Sequence, residues 1–294
     1  MRVDRRWGDA AVTVLARGAL FLVFGLALVL GLTLLLRACP MLGSLERSTL
    51  LGSAWAPAQG SFGLRTFLAG SLAVTVLALG LSVPLCLLSA LYLSEHASRR
   101  LRERVQPVLD VAAGVPSVVF GLFGVMFVVP GVAALGRLLG VPTTGYSLLA
   151  GGLVLALMAA PFTLSVALDV LLAVPMGLRE TALAMGATRW ETAWHVVLRE
   201  ARGGLLVAVV MGFARAFGET LAVMMVVGNV AVLPTSLFGP AYPLSALLAN
   251  TYGEMMSIPR MEGALMSAAL LLFLATGAVS CAATLVLRRM RRLG

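Results

Sequence analysis

The chain has 294 residues, 60% of them hydrophobic and 12% charged, with a formal net charge of +9. A soluble domain is about half apolar and about a quarter charged, so this composition, with a mean hydropathy of +0.99, excludes an ordinary soluble domain and points to a membrane protein. All 22 Lys/Arg positions are arginine, so the phosphate-gripping lysine of a nucleotide-binding loop cannot exist here. The arginines lie in short clusters between apolar runs, a mark of membrane topology rather than of nucleic-acid binding.

The opening "MRVDRR" leads into an apolar run over 18–36. That run is too long for the core of a signal peptide, and Arg37 stands where a cleavage site wants small residues, so an uncleaved first helix is expected. Residues 37–64 contain Gly, Ser and Pro with little periodicity and read as an external loop. Further apolar runs follow at 65–92, 107–130, 147–172, 204–228 and 263–287. About 20 helical residues cross a bilayer, and runs of this length are too long for barrel strands. The sequence therefore predicts an all-α integral membrane protein with six transmembrane helices.

Local features mark several of these runs. Asp110 follows Pro107 in what reads as the first turn of the third span, where a carboxylate suits the helix dipole. Asp169 falls near the end of the fourth, and both carboxylates read as structural. Pro116-Ser117 and Pro161 interrupt spans three and four. Interrupted helices mark transport paths or are simple kinks; Ser117 is a candidate path residue. The stretch 229–262 reads as an external loop whose apolar centre, Leu244 to Leu248, is too short to span. The three cysteines, Cys39, Cys86 and Cys281, form neither a metal-like spacing nor a disulfide framework. His96 and His195 are isolated in polar segments. No metal and no cofactor are expected.

Orientation follows from the arginines. Sixteen fall on one side: Arg2, Arg5, Arg6 and Arg17; Arg99, Arg100, Arg102 and Arg104; Arg179, Arg189, Arg199 and Arg202; Arg288, Arg289, Arg291 and Arg292. Five fall on the other (Arg37, Arg47, Arg65, Arg137 and Arg260), and Arg215 is left inside a span. The positive-inside rule then places both termini in the cytoplasm.

One internal loop differs from the rest: "VPMGLRETALAMGATRWETAWHVVLREARGG", residues 174–204. Leu178, Ala182 and Met185 recur at helical spacing, as do Trp190, Ala193, Trp194 and Val197. Gly186 reads as a helix C-cap. Thr188 reads as the next N-cap, with Glu191 as its capping-box partner. Two short amphipathic helices joined by a turn fit either a docking surface for another protein or an interfacial helix pair on lipid headgroups.

The spacing of this loop resembles the EAA loop of ABC-importer permeases. Glu180-Thr181-Ala182 is followed after three residues by Gly186, and after nine more by Val196-Val197-Leu198-Arg199. Arg199 stands where the motif has proline, which removes a fixed turn. With "SLAVTVLALGLSVPLCLLSALYLSEHA", "GVPSVVFGLFG", "GGLVLALMAAPF" and "RAFGETLAVMMVVGN", the chain resembles a phosphate-importer permease, of the PstC rather than the PstA type, over roughly residues 65–287. The resemblance implies a type-1 ABC importer permease fold in the plasma membrane of a bacterium or archaeon, the inner membrane if the cell is Gram-negative. It implies as partners a cytoplasmic ATP-binding subunit in two copies, a homologous PstA-like permease, an extracytoplasmic phosphate-binding protein and membrane lipid. It also implies that Glu180, Ala182, Ala184 and Gly186 couple to the ATPase. The domain organisation expected is 1–64 (tail, first helix, external loop), 65–287 (five-helix core, with coupling loop 174–204) and 288–294 (basic tail).

"GFARAFGETLAV" at 212–223 places Arg215 and Glu219 deep in the fifth apolar run. A charge at the bilayer centre costs at least ~2.5 kcal/mol. Glu219, four residues on, is expected to lie on the same helical face as Arg215 and to pair with it. The pair lines an oxyanion path, since a guanidinium offers paired donors and stays charged, or it is a structural lock between helices. In the phosphate permeases the matching Arg-x-x-x-Glu is regarded as functionally important. An importer of another oxyanion, molybdate or sulfate, shares the architecture. An intramembrane enzyme would need a carboxylate cluster, a His in a span or a nucleophile–base pair, and the sequence offers none; a passive anion channel would not need the EAA loop. If both termini are cytoplasmic, an alkaline-phosphatase fusion at Gly52 is expected to be active and fusions at Arg189 and at the C-terminus inactive. A phosphatase-active Arg189 fusion would reverse the orientation.

Overall fold

The computed structural model describes residues 3–43, 52–255 and 259–293. Helix α1 (Val3–Gly43) leads to a two-residue hairpin, β1 (Trp55–Ala56) and β2 (Ser61–Phe62), paired antiparallel with Trp55 opposite Phe62. There follow α2 (Arg65–Glu95), α3 (Arg99–Gly114), α4 (Ser117–Phe123), a π turn over Gly124–Val128, and α5 (Val129–Leu138). Next come α6 (Leu148–Leu172), α7 (Met176–Ala184), α8 (Arg189–Glu191), a second π turn over Thr192–Val197, and α9 (Leu198–Phe217). The chain ends through α10 (Leu221–Met224), α11 (Leu244–Met255) and α12 (Pro259–Leu293). Five stretches among the described residues are long and apolar enough to cross a membrane: Val12–Pro40, Arg65–Glu95, Ser117–Leu138, Leu148–Leu172 and Met261–Ala282.

Four of the six expected spans are met by membrane-length helices, and the third and fifth are altered. The third does not run through 107–130. Val115 is extended (φ −64, ψ 130), as the residue before a proline prefers, and this divides α3 from α4. The arginine-rich α3, begun by a Ser98 cap that accepts the Leu101 amide, has no buried residue. The membrane-length segment begins only at Ser117. The fifth expected span is α9, and it carries Arg199, Glu200, Arg202 and Arg215 in 20 residues, which is why it falls outside the apolar set. It stops at Phe217, with Gly218 as its C-cap. The expected external loops also hold structure. Part of 37–64 is helix and hairpin, while residues 44–51 lie outside the described residues. Within 229–262, α11 forms because Leu244 and Leu247 are fully buried against Phe62, Phe67 and Leu265.

The bundle centres on α2 against α6. Val74 and Ala78 meet Leu155 and Ala156 midway. Ala90, Leu91 and Leu93 meet Ala167, Leu168 and Leu171 towards the arginine-rich end, where Ala193, Val197 and Ala201 join them. Small residues let these helices approach closely, since lipid gives no hydrophobic drive between them. At Gly121 a Cβ would lie 2.5 Å from Met225 Sδ and 3.2 Å from the Ala222 backbone, so glycine permits α4 to lie against α10. In contrast α1 packs along α12 and its most apolar window is 0% buried.

The arginine-rich end is tied by side chains on backbone carbonyls. Arg102 donates to the carbonyls of Leu93 (3.0 Å) and Ser94 (2.9 Å), closing the last turn of α2. Arg179, the fourth residue of α7, donates to the Leu171 carbonyl at 2.9 Å and to that of Val174, closing α6. Its guanidinium also holds Glu95 at the end of α2 through Nη2–Oε1 at 2.9 Å, with side chains only 12% and 9% exposed. Breaking a buried pair by removing one partner typically costs about 3–5 kcal/mol. Arg179→Met is expected to destabilise the protein by about 3 kcal/mol, seen as a lower melting temperature in detergent. An unchanged melting temperature would show the clamp to be dispensable.

Candidate functional site

The Arg215–Glu219 pair expected from the sequence is absent. Among the described residues the ion pairs are Arg37–Glu262, Arg99–Glu103 and Arg179–Glu95. The reason is the end of α9 at Phe217: beyond Gly218 a four-residue separation no longer places two side chains on one helical face. Arg215, in the last turn of α9, instead donates from Nη2 to the Ala113 carbonyl at 3.3 Å and lies 5.5 Å over the Phe162 ring. The Ala113 carbonyl is at the end of α3, just before the Val115–Pro116 break, and Ser117 begins α4 just after it. The structure thus brings Arg215 to the same break that singles out Ser117. The Arg215 side chain is exposed on the chain's surface.

Glu219 turns elsewhere. Its Oε1 accepts the Ala222 amide at 3.4 Å, at the start of α10, and its carbonyl accepts the Ser245 hydroxyl at 3.0 Å. Asn229, with φ of 50, donates to the Met224 carbonyl at 2.7 Å and closes α10 at its other end. Two interrupted helices, α3–α4 and α9–α10, therefore meet side by side, each break held by side chains from another element.

The second candidate region is the turn between α7 and α8. Gly186 has φ of 90, its amide bonds the Leu183 carbonyl at 3.0 Å, and the Ala187 amide bonds the Ala182 carbonyl at 3.1 Å. This is a Schellman ending, which needs a left-handed residue. Glu180, Ala184 and Gly186 are exposed and Ala182 is half-buried, while Met185 at the tip is 84% exposed. Thr188 and Glu191 form the capping box. The Thr188 amide and hydroxyl each reach Glu191 Oε2 at 2.8 Å, and the Glu191 amide reaches the Thr188 hydroxyl at 3.2 Å. The second helix of the loop is not a separate short one. It continues through the π turn into α9, and Arg199, standing where the motif has proline, lies inside that helix.

The family described as "Binding-protein-dependent transport system inner membrane component" matches residues 82–292. The chain belongs to this family. It is therefore a multi-pass membrane permease component. A Xylella fastidiosa protein named "Phosphate transport system permease protein PstC" is 34% identical over 253 residues, covering 81% of this chain and 78% of that one. A Methanocaldococcus jannaschii protein named "Probable phosphate transport system permease protein PstC" is 30% identical over 247 residues, covering 80% and 78%. A Bacillus subtilis protein named "Probable ABC transporter permease protein YqgH" is 40% identical over 202 residues, covering 68% and 64%. Among solved structures, a bacterial alginate ABC transporter with an alginate pentasaccharide-bound periplasmic protein aligns with a TM-score of 0.65 at 18% identity, over 98% of this chain and 96% of that one. The MetNI methionine ABC transporter in an inward-facing conformation aligns at 0.56 and 22%, over 77% and 94%. The fold is that of the type-1 ABC importer permeases.

Sequence reasoning missed two features of this family member. The Arg179–Glu95 clamp has a separation of 84 residues, and nothing local signals it. Tyr92, His96, Trp190 and Trp194 form an exposed ladder, with ring centroids 6.3, 6.4 and 5.8 Å apart. The i, i+4 spacing within each half was readable; the joining of the halves was not.

The hydrogen bond from the Thr188 amide, and then that from its hydroxyl, hold the Glu191 carboxyl below the usual carboxylate range. A lowered folded-state pKa means that the box stabilises the turn above the ordinary value near 4.3 and is lost as pH falls through the lowered one. Thr188→Ala is expected to speed hydrogen exchange at the Glu191 amide by about fivefold at neutral pH. Exchange equal to wild type would remove the box as what holds this turn.

Proposed function

We propose that this chain is one permease subunit of an ATP-driven importer of inorganic phosphate, with both termini in the cytoplasm. In this reading it works with a homologous PstA-like permease, two copies of a cytoplasmic ATP-binding subunit and an extracytoplasmic phosphate-binding protein. α9 is the remaining membrane crossing, and the loop bearing Glu180, Ala182, Ala184 and Gly186 docks on the ATPase. The names of the PstC relatives support phosphate as the cargo. The observation that carries the reading in this chain is Arg215, a permanent charge on α9 that pairs with no carboxylate among the described residues. A guanidinium has five N–H donors, and here it donates to one protein carbonyl. Its other donors, at an exposed junction of two broken helices, suit a tetrahedral oxyanion. Ser117 borders the same break, and Glu219, four residues on, supplies a nearby negative charge that limits how tightly the anion binds.

The complex reconstituted in vesicles with its ATPase and binding protein tests this. Arg215→Gln is expected to assemble normally and to lose phosphate uptake by about tenfold or more, the worth of a charged hydrogen bond. Arg215→Lys is expected to fall between the two, since an ammonium lacks the planar fork. Wild-type uptake by Arg215→Gln would overturn the path assignment. Uptake of molybdate or sulfate in place of phosphate would move the cargo to another oxyanion.

A further inference from the structure

Glu219 lines a cavity of about 10 Å³ whose other polar residues are Ser71 and Thr75 of α2 and Ser245 of α11, the rest of the wall being apolar; it has room for about one water. The hydroxyls around it have defined tasks. Ser71 Oγ accepts the Leu244 amide at 2.8 Å, which leaves its proton to donate. The Ser245 proton is committed to the Glu219 carbonyl. Thr75, one helical turn from Ser71 on the same face of α2, is 2% exposed. A carboxylate is acceptor-only and needs donors when removed from water. On the protein side, the Glu219 carboxylate has one amide at 3.4 Å.

We propose that Thr75, with Ser71, is a positioning residue for Glu219: the two α2 hydroxyls donate through one water in this cavity to the carboxylate and hold it away from Arg215. The inference rests on the reading of Arg215 as the anion contact. A free Glu219 has a strong alternative partner in Arg215 nearby in sequence, and a guanidinium closed on a carboxylate has lost the donors that an oxyanion would use. The cage therefore keeps the anion contact open. It also explains why a polar pair of hydroxyls sits on α2 at a point where the neighbouring Val74 and Ala78 are core residues.

The test is a double-mutant cycle of Thr75→Val and Glu219→Gln in the assembled complex, read both as melting temperature in detergent and as maximal phosphate uptake in vesicles. Thr75→Val, nearly isosteric, is expected to lower maximal uptake by about tenfold with the half-saturating phosphate concentration little changed. Thr75→Ser, which keeps the hydroxyl, restores most of the rate. In the Glu219→Gln background Thr75→Val is expected to have little further effect on uptake, because a neutral amide cannot occupy Arg215 as an ion pair. The melting temperatures should be non-additive in the same way. Additive effects in both readouts, or a Thr75→Ser variant as slow as Thr75→Val, would overturn the cage. Non-additive melting together with wild-type uptake in Arg215→Gln would keep the cage and remove the path reading; additive melting with uptake lost in Arg215→Gln would do the reverse.

Discussion

A carbonyl released from a helix inside a bilayer has no water to bond with, and leaving it bare costs several kcal/mol. This constraint governs the architecture, because the chain interrupts its helices repeatedly. Five of these breaks are matched by a side-chain donor beyond the helix that ends. Arg102 closes α2, Arg179 closes α6, Asn229 closes α10 and Ser245 takes the Glu219 carbonyl. Arg215 takes the Ala113 carbonyl where α3 stops. These polar side chains, set in an otherwise greasy sequence, are thus the partners of backbone groups freed by the breaks.

The same constraint sets what the sequence discloses. Apolar runs of about 20 residues reveal helices because length and composition are local. The Schellman ending at Gly186 and the Thr188–Glu191 box were readable because every participant lies within six residues. The Arg215–Glu219 relation was misjudged because i, i+4 pairing assumes an unbroken helix. Gly218, one residue before Glu219, is the C-cap that ends α9. At Pro116 the break was visible, but its effect on the third span was not: the residues before it form the separate, arginine-rich α3 instead of the first turns of a crossing.

Long-range pairings were beyond reach for another reason. Arg179 could be counted in the sequence as one of sixteen arginines on one side, yet its structural task is to join the ends of α2 and α6 to the start of α7. Any arginine in the right loop satisfies a topology rule; only packing decides which one reaches a buried carboxylate. Ser71, Thr75 and Ser245 likewise look like ordinary small polar residues until α2 and α11 converge on the break after α9.

The π turn at Thr192–Val197 has a mechanical consequence. It joins α8 to α9 without interrupting the helix, so Arg189 and Arg215 are carried by one rod. At 1.5 Å per residue the rod between them is about 39 Å long. A tilt of about 5° at one end displaces the other by about 3 Å over that span, roughly the length of a hydrogen bond. Moved as one body, such a rod would carry a small rotation at the capping-box turn to the guanidinium as a displacement large enough to make or break a contact.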